Sequence, residues 1–299
     1  MDASEARAVD GPPTDGYIRE GTYPNIWCPG CGIGTAMQAF IKGVNRAGIP
    51  WNKVAVVCGI GCTGRVHMYL KTDCYHTTHG RAIPFATGLK LARPDLHVVV
   101  FSGDGDLFAI GGNHFIHAAR RNIPIHVVAV NNFNYGMTGG QGGPTTPTRA
   151  RSTTTPEGNY EHPFNIPALA ATCGAVYVAR WTTLDVRRLR DSVTCAMQKD
   201  GFTCIEVISP CPVSYGRPNQ IGDAREEMLH YMASEELKPP NWLIYESAKP
   251  DDISIGLKTK IAVGNFVDIS KPNFFDLYGE IYPGHRLGRR EPPVRAGTG

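Results

Sequence analysis

The sequence predicts an α/β fold in which helices cover both faces of a parallel β-sheet. Up to about residue 215, short β-branched runs that end in glycine or asparagine alternate with segments of helical spacing. Continuously apolar strands that alternate with helices are typical of a parallel sheet buried on both sides. At 299 residues, with 42% apolar and 19% charged residues, the chain can bury such a core.

Predicted strands and predicted helices alternate along the chain, four of each. The strand segments are KVAVVCGIGC, LHVVVFSGDGD, PIHVVAVNNFN and CIEVISPCP. The helical segments are IGTAMQAFIKGV, GRAIPFATGLKLA, GNHFIHAARRN and TLDVRRLRDSVTCAMQ. In the last segment, helical spacing puts four apolar residues on one face: Val186, Leu189, Val193 and Met197.

The predicted organisation has three parts. From about Gly216 onward the periodicity fades, and the sequence becomes rich in proline and polar residues. We therefore expect a mobile N-terminal arm at residues 1–16 and one folded domain at residues 17–215. We expect residues 216–299 to form a C-terminal extension that contacts a partner chain and has a disordered end.

Composition excludes several classes of protein. The formal net charge of +3 is too small to indicate a nucleic-acid-binding surface. No apolar run reaches the roughly 18 residues of a membrane span. The first stretch, MDASEARAVDGPPTDGY, lacks the charged start and apolar core of a signal peptide, so we expect a cytoplasmic protein. Without export, nine cysteines indicate metal binding or catalysis more than a disulfide framework.

Polar and sulfur-bearing residues follow the ends of the predicted strands. Cys62, Asp104 and Cys211 each come just after a strand, and Asn132 and Asn134 follow the strand PIHVVAV. Ligands of open parallel sheets bind beyond the carboxyl ends of the strands, so we expect these residues to meet at one edge. A carboxylate with amide and carbonyl oxygens suits Mg²⁺. The glycines of GDGD and NNFNYG would let backbone N–H groups approach a diphosphate.

The CPGC segment with Cys28 and Cys31 allows several interpretations. Two cysteines in a Pro/Gly turn before a helix suit zinc, a redox disulfide or an iron–sulfur cluster. Cys62 and Cys211 also lie beside glycine or proline, and four thiolates match the ligand count of a [4Fe–4S] cluster. Four cysteines also suit zinc, which stays an alternative. The other five are interpreted as structural, the last three as buried thiols: Cys58, Cys74, Cys173, Cys195 and Cys204.

The spacing of GDGD and NNFN resembles the diphosphate-binding motif of thiamin-diphosphate enzymes. Together with CPGCG, GIGC, HTTHGRAIPFATGLKLARPD and SPCP, these segments resemble the β subunit of the 2-oxoacid:ferredoxin oxidoreductases over about residues 17–215. The resemblance implies a thiamin-diphosphate-binding fold in which Asp104, the Asn132 side chain and the Asn134 carbonyl bind Mg²⁺. It also implies that the following residues contact the cofactor: Ile60, Gly61, Cys62, Thr63, His79, Gly105, Asp106, Gly136 and Met137.

The same resemblance implies roles for the cysteines and for two basic side chains. It assigns one [4Fe–4S] cluster to four ligands: Cys28, Cys31, Cys62 and Cys211. His79 would contact thiamin diphosphate during catalysis. Arg65 would meet the carboxylate of a 2-oxoacid, because a guanidinium suits bidentate capture of such a group. The alternative for Arg65 is an exposed surface arginine.

Members of this family convert a 2-oxoacid and coenzyme A into an acyl-CoA and CO₂ while they reduce ferredoxin. The GIGCTGR segment and the chain length most resemble the 2-oxoglutarate type, so succinyl-CoA is the expected product. The resemblance implies a pyrimidine-binding α subunit in an α₂β₂ assembly, which supplies the cofactor-activating glutamate that has no motif here. The alternatives are a pyruvate or branched-chain enzyme, a non-redox thiamin decarboxylase subunit, and an electron-transfer subunit without thiamin.

Overall fold

The computed structural model of the chain describes residues 14–245, 247–285 and 287. Most of the expected N-terminal arm and the expected disordered end lie outside the described residues. The described part of the arm belongs to a 3₁₀ turn, Thr14–Tyr17. No helix in the described ranges is both long enough and apolar enough to cross a membrane.

The fold is built on one large sheet with a separate short hairpin. The strands are β1 (Val54–Cys58), β2 (Asp73–His76), β3 (His97–Gly103), β4 (Ile125–Asn131), β5 (Asn134–Tyr135), β6 (Gln141–Gly142), β7 (Tyr177–Thr182), β8 (Thr203–Ile208), β9 (Glu235–Leu237) and β10 (Ile261–Asp268). The eight-stranded sheet has the order β2-β1-β3-β4-β8-β7-β10-β9, and β5 and β6 form the hairpin. Within the large sheet, only the β7–β10 pair is antiparallel. The predicted fold class, a mainly parallel sheet between helices, is confirmed.

Helices cover both faces of the sheet, so the strands bury alternate residues in two different cores. The helices are α1 (Ile33–Arg46), α2 (Ala82–Ala92), α3 (Gly112–Arg120), α4 (Ile166–Thr172), α5 (Val186–Met197), α6 (Ala224–Ser234) and α7 (Phe274–Ile281). Residues of α1 and α5 pack in one core with Val56 of β1, and residues of α2, α3 and α4 pack in the other core with Val57. The alternation follows from the two-residue period of a strand. All four predicted helices are present.

Helices α1 and α5 pack closely over one face, and this fixes the chain that enters α1. A Cβ atom at Gly43 would lie 2.5 Å from Val193 Cγ1, so the two helices approach too closely for a larger residue. Phe40 and Ile41 of α1 are fully buried, and each contributes on the order of 1.5–3 kcal/mol by leaving water. Only the N-cap residue Gly32 separates the CPGC turn from Ile33, so this packing also limits where the turn can lie.

The chain beyond Gly216 adds strands to the main sheet. The expected boundary between residues 215 and 216 therefore does not coincide with an edge of the sheet, because β10 pairs with β7 and β9 pairs with β10. The sequence did not predict β7 or β10 as strands. Strand β7 has Arg180 at its centre, and β10 contains Gly264 and Asn265, so neither shows the apolar run of a buried parallel strand.

Candidate functional site

Four neighbouring parallel strands bring the predicted site residues to one edge of the sheet. Strands β1, β3, β4 and β8 are adjacent in that order, and they run in the same direction. They end at Cys58, Gly103, Asn131 and Ile208. The loops that follow them therefore share the carboxyl edge, where open α/β sheets bind their ligands.

Asp104 is a buried carboxyl group in the loop after β3. The residue is 2% exposed, and the Thr145 hydroxyl donates a hydrogen bond to its Oδ2 atom. Burial raises the pKa of Asp104 to about 7, because desolvation disfavours the charged form. A cation nearby would favour the carboxylate, so the position suits a metal ligand.

The turn after β4 holds two buried asparagines. Asn131 Oδ1 accepts a hydrogen bond from the Phe133 backbone N–H at 3.0 Å. Phe133 has a left-handed backbone with φ of +63°. Within the turn, Asn134 Nδ2 donates to the Asn132 carbonyl oxygen at 2.7 Å. These contacts hold the backbone of the turn and the Asn134 side chain in place.

One cavity of about 130 Å³ connects the predicted metal ligands with the predicted cofactor contacts. Asp104, Asn132 and Asn134 line it. The nine residues expected to contact thiamin diphosphate also line it: Ile60, Gly61, Cys62, Thr63, His79, Gly105, Asp106, Gly136 and Met137. Gly103, Tyr135 and Thr138 are further lining residues that the sequence did not indicate.

Gly105 follows Asp104 and lines the same cavity, where it packs closely against Tyr135. It begins a π-helical turn, Gly105–Ile110. A Cβ atom at residue 105 would lie 2.2 Å from Tyr135 Cε1, so a side chain would force the ring to move. Backbone N–H groups at the start of a helix bind anions, and this helical start borders the cavity.

Asp106 connects the loops after three strands. Its Oδ1 atom accepts hydrogen bonds from the Ile60 N–H at 3.1 Å, the Gly80 N–H at 2.8 Å and His79 Nδ1 at 2.6 Å. Its Oδ2 atom accepts a hydrogen bond from the Ser102 hydroxyl at 2.9 Å. The sequence suggested only a cofactor contact at Asp106. The carboxylate also holds the walls of the cavity together.

Four cysteines line a second cavity of about 170 Å³. They are Cys28, Cys31, Cys62 and Cys211, the four predicted cluster ligands. The structure therefore brings together four thiols that are spread over more than half of the chain. The five cysteines that were predicted to be structural do not line this cavity. Cys58 and Cys204 are buried, but Cys195 is exposed on α5, so the prediction of a buried thiol there is wrong.

The CPGC segment forms a tight turn that is tied to the loop after β1. The Cys31 N–H donates to the Cys28 carbonyl oxygen at 3.0 Å, and Gly30 has a φ of +83°, which favours glycine. Trp27 Nε1 donates to the Cys62 carbonyl oxygen at 2.8 Å. The indole thus joins the first cysteine pair to the third cysteine.

The environment of the thiols disfavours thiolates until a cation is present. Burial raises the pKa of Cys31 to about 12 and the pKa of Cys62 to about 11. Burial also raises the pKa of Cys211. Cys28 adds to each of the three shifts and Cys211 adds to those of Cys31 and Cys62, because neighbouring thiolates repel one another. A bound metal would reverse this balance, since coordination favours the deprotonated thiol.

The two cavities share part of their walls. Cys62, Asn132, Gly136 and Met137 line both. Gly136 lies at the boundary: a Cβ atom there would be 3.3 Å from Asn134 Oδ1 and 3.5 Å from Cys211 Sγ. We call the cavity lined by Asp104, Asn132 and Asn134 the oxygen-rich cavity, and the cavity lined by the four cysteines the sulfur cavity. The two cavities are therefore adjacent.

The two basic residues with predicted catalytic roles belong to different cavities. Arg65 is half-buried and lines the sulfur cavity. Within the described chain, its guanidinium forms no hydrogen bond or ion pair, and its charge lowers the pKa of Cys62 slightly against the effect of burial. His79 lines the other cavity, with Nδ1 held by Asp106.

Two residues near the site carry no sequence signal for their positions. Thr145 contacts Asp104 from a Thr-rich loop with no periodic pattern. Glu227 of α6 is fully buried and accepts a hydrogen bond from the Cys211 backbone N–H at 3.1 Å. Across the described ranges, no three His, Cys, Asp or Glu side chains lie close enough to bind one metal ion together.

Comparison with known proteins identifies the family. Residues 59–207 match the thiamine pyrophosphate enzyme, C-terminal TPP binding domain family. The chain is 47% identical to the 2-oxoglutarate synthase subunit KorB of Methanocaldococcus jannaschii over 87% of this chain and 93% of that protein. It is 54% identical to the KorB subunit of Archaeoglobus fulgidus over 66% of this chain and 73% of that protein.

A solved structure has the same fold over most of its length. It is the 2-oxoglutarate:ferredoxin oxidoreductase from Magnetococcus marinus with 2-oxoglutarate, coenzyme A and succinyl-CoA bound. The TM-score is 0.77 at 32% identity, and the match covers 89% of this chain and 88% of that chain. The expected thiamin-diphosphate-binding fold is confirmed, and the chain belongs to the family of 2-oxoacid:ferredoxin oxidoreductase β subunits, within the group of KorB subunits.

Proposed function

We propose that this chain is the thiamin diphosphate-binding subunit of a 2-oxoglutarate:ferredoxin oxidoreductase and also carries its [4Fe–4S] cluster. The reaction converts 2-oxoglutarate, coenzyme A and oxidised ferredoxin into succinyl-CoA, CO₂ and reduced ferredoxin, and it is reversible. The main support is the contact between the two cavities at Gly136, which has Asn134 Oδ1 on one side and Cys211 Sγ on the other.

Asp104, the Asn132 side chain and the Asn134 carbonyl would hold Mg²⁺ in the proposed complex. Their chemistry fits, because Mg²⁺ prefers a small number of carboxylate and carbonyl oxygens together with phosphate oxygens. The buried Asp104 carboxyl would gain a counter-charge. Gly105 lets the Tyr135 ring pack against the loop after Asp104, since a Cβ atom there would lie 2.2 Å from Tyr135 Cε1.

Cys28, Cys31, Cys62 and Cys211 would hold the [4Fe–4S] cluster. Four thiolates are the ligand set of such a cluster. All four cysteines line one cavity of about 170 Å³, which supports a shared group at this place. In the cytoplasm, where we propose the protein works, reducing conditions keep these thiols available.

The residues of this chain would hold the reacting groups close together and in fixed positions. When bound, thiamin diphosphate supplies the nucleophile and electron sink for decarboxylation, and the cluster accepts single electrons. Gly136 keeps the wall between the sites thin, because it has no side chain. Asp106 fixes the loops after β1 and β2. It also holds the His79 ring in place through Nδ1.

Arg65 would bind a carboxylate of the substrate. Its guanidinium lines the sulfur cavity and has no anionic partner within the described chain. A pyrimidine-binding α subunit would complete the active site, in an α₂β₂ assembly, and supply the glutamate that activates the cofactor. Ferredoxin would take electrons from the cluster. The names of the KorB relatives and of the Magnetococcus marinus structure support the substrate and the acceptor.

The test uses the chain purified anaerobically together with its partner subunits. Coenzyme A-dependent reduction of an electron acceptor is measured with 2-oxoglutarate, pyruvate and a branched-chain 2-oxoacid at equal concentrations. We expect the highest rate with 2-oxoglutarate. A faster rate with pyruvate would show that the substrate assignment is wrong, and CO₂ release without acceptor reduction would show that the redox function is wrong.

Replacing Arg65 tests the contact with the substrate. Arg65→Met should raise the KM for 2-oxoglutarate at least about ten-fold, because a charge-assisted hydrogen bond to a carboxylate is lost. Arg65→Lys keeps the charge and should lose less. Unchanged KM values in both variants would contradict a contact between Arg65 and the substrate.

A further inference from the structure

A buried ion pair joins strands β7 and β8. Arg180 of β7 and Glu206 of β8 face each other in register, and Arg180 Nε donates to Glu206 Oε2 at 2.5 Å. Both side chains are 1% exposed. Removing two charges from water is costly, and apolar residues of similar volume often stabilise a core equally well or better. This ion pair therefore calls for an explanation other than stability.

The guanidinium also contacts segments far apart in the sequence. Arg180 Nη1 donates to the carbonyl oxygens of Ile253 at 2.7 Å and of Ala262 at 3.3 Å. Its Nη2 atom donates to Asn165 Oδ1 at 3.4 Å, and Asn165 is the N-cap of α4. Arg180 thus joins the C-terminal part of the chain and α4 to the centre of the sheet.

On the other side, the ion pair connects to the predicted metal-binding turn. Glu206 Oε1 accepts a hydrogen bond from Asn131 Nδ2 at 2.7 Å. Asn131 uses its other side-chain atom, Oδ1, to accept the Phe133 backbone N–H. Phe133 lies between Asn132 and Asn134 and has the left-handed backbone, which costs energy for a residue other than glycine. The surrounding contacts must hold that conformation.

We propose that Arg180, Glu206 and Asn131 form a positioning relay that holds the Asn132–Asn134 turn in the shape that binds Mg²⁺ and thiamin diphosphate. We call these three residues the Arg180 relay. The inference rests on the proposed function, because it assumes that this turn binds the metal. It deepens that function by giving the chain beyond Gly216 a part in cofactor binding. None of the three residues needs to touch the cofactor.

The relay acts by fixing the orientation of one amide. The Glu206 carboxylate can only accept, so it holds the NH₂ group of Asn131 and directs Oδ1 toward the Phe133 N–H. Arg180 in turn holds the carboxylate in place. Without Glu206 the amide could rotate, the Phe133 N–H would lose its acceptor, and the left-handed residue would relax.

The test separates positioning from stability. Arg180→Met combined with Glu206→Leu replaces the ion pair by apolar side chains, an exchange that proteins often tolerate. Asn131→Ala is a second variant that leaves the ion pair intact. Each is purified with the partner subunits, and the dissociation constants of Mg²⁺ and thiamin diphosphate are measured by protein fluorescence, with melting temperature and iron content as further readouts.

Thr203→Val is the matched control. Thr203 is a buried residue at the opposite end of β8, where its hydroxyl lies 3.1 Å from His126 Nδ1 of β4. The control therefore removes a buried polar contact between the same two strands, far from the turn. It should bind Mg²⁺ and thiamin diphosphate as the unmodified complex does.

We expect the dissociation constant of Mg²⁺ to rise about ten-fold or more in the double variant and in Asn131→Ala, as for other residues that orient metal ligands. Iron content should be unchanged in both. A dissociation constant of Mg²⁺ within about two-fold of that of the unmodified complex, in either folded variant, would overturn the relay. If the unmodified complex does not bind thiamin diphosphate in the presence of Mg²⁺, the proposed function fails, and that outcome is separate from the relay.

Discussion

The backbone N–H of Cys211 donates a hydrogen bond to Glu227 Oε1 at 3.1 Å, so helix α6 contacts the sulfur cavity through a buried carboxyl group. The Tyr231 hydroxyl donates to the same oxygen at 3.1 Å, and burial raises the pKa of Glu227 to about 7. The same helix begins at Ala224, which packs against Gly30 of the CPGC turn. Helix α6 therefore holds two of the three chain segments that carry the cysteines.

Glu227→Leu should reduce the iron content of the anaerobically purified complex. The Cys211 N–H would lose its acceptor, and a buried unsatisfied donor costs about 1–3 kcal/mol. Glu227→Gln keeps a carbonyl oxygen for this N–H and should keep most of the iron. Iron per chain and the brown visible absorption are the measurements, and melting temperature reports on the fold.

Glu226→Gln is the control for Glu227. Glu226 is an exposed residue of the same helix, where it completes the capping box with Asp223, and glutamine can also serve in a capping box. Iron content should stay at the level of the unmodified complex. Equal iron content in Glu227→Leu and Glu226→Gln would contradict a role for Glu227 in the sulfur site.

Asp104→Ala and Cys211→Ala should give opposite phenotypes. Asp104→Ala removes the only carboxylate among the proposed Mg²⁺ ligands, so it should abolish thiamin diphosphate binding and leave the iron colour. Cys211→Ala removes a proposed cluster ligand, so colour and stability should fall while some cofactor affinity remains. Titration with thiamin diphosphate and iron analysis check both. Loss of both properties in each variant would show that the two sites are not separable.

The sequence alone was sufficient to predict which loops meet at the carboxyl edge of the sheet, because the strands and the loops after them carry local signals. Strands β3 and β4 contain runs of valine and isoleucine, and a polar residue directly follows each strand, Asp104 after β3 and Asn132 after β4. Parallel strands necessarily bring such loops to one edge. The position of Asp104 beside Asn132 could therefore be predicted without coordinates.

Long-range partners could not be predicted because the local pattern does not encode them. Arg180 interrupts β7 and makes it resemble a loop, although Glu206 on the next strand neutralises it. Glu227 and Glu226 are adjacent and chemically alike, yet only Glu227 is buried, because the packing of α6 decides which side faces inward. These choices depend on tertiary packing, which overrides local propensity.

His126 should make the stability of the protein depend on pH below neutrality. Burial, and then the neighbouring His97 and Lys90, lowers the pKa of His126 to about 3. Between the ordinary pKa near 6.5 and this value, the folded chain binds fewer protons than the unfolded chain. The contribution of His126 to the free energy of unfolding is therefore fully present above about pH 6.5 and is lost as the pH falls. At about pH 5.5 the loss should be about 1.4 kcal/mol.

His126→Gln should remove that part of the pH dependence. Melting temperatures of the unmodified complex and of the variant are compared at about pH 7.5 and pH 5.5. The decrease on acidification should be about 2–4 °C smaller in the variant. His162→Gln changes an exposed histidine and should leave the decrease as it is. Equal decreases in all three proteins would contradict the buried neutral state of His126.

Gly30→Ala should damage the sulfur site more than the backbone conformation alone explains. Gly30 has a φ of +83°, and a Cβ atom there would lie 2.3 Å from Ala224 Cβ and 3.4 Å from Pro212 Cγ. Gly48 is a matched control with a φ of +71° and no atom within 4 Å of such a Cβ. Each alanine has the cost of a left-handed residue, about 1–2 kcal/mol.

Only Gly30→Ala must also displace the start of α6, so only this variant should lose iron. Equal iron content and equal melting temperatures in the two variants would show that α6 does not hold the CPGC turn.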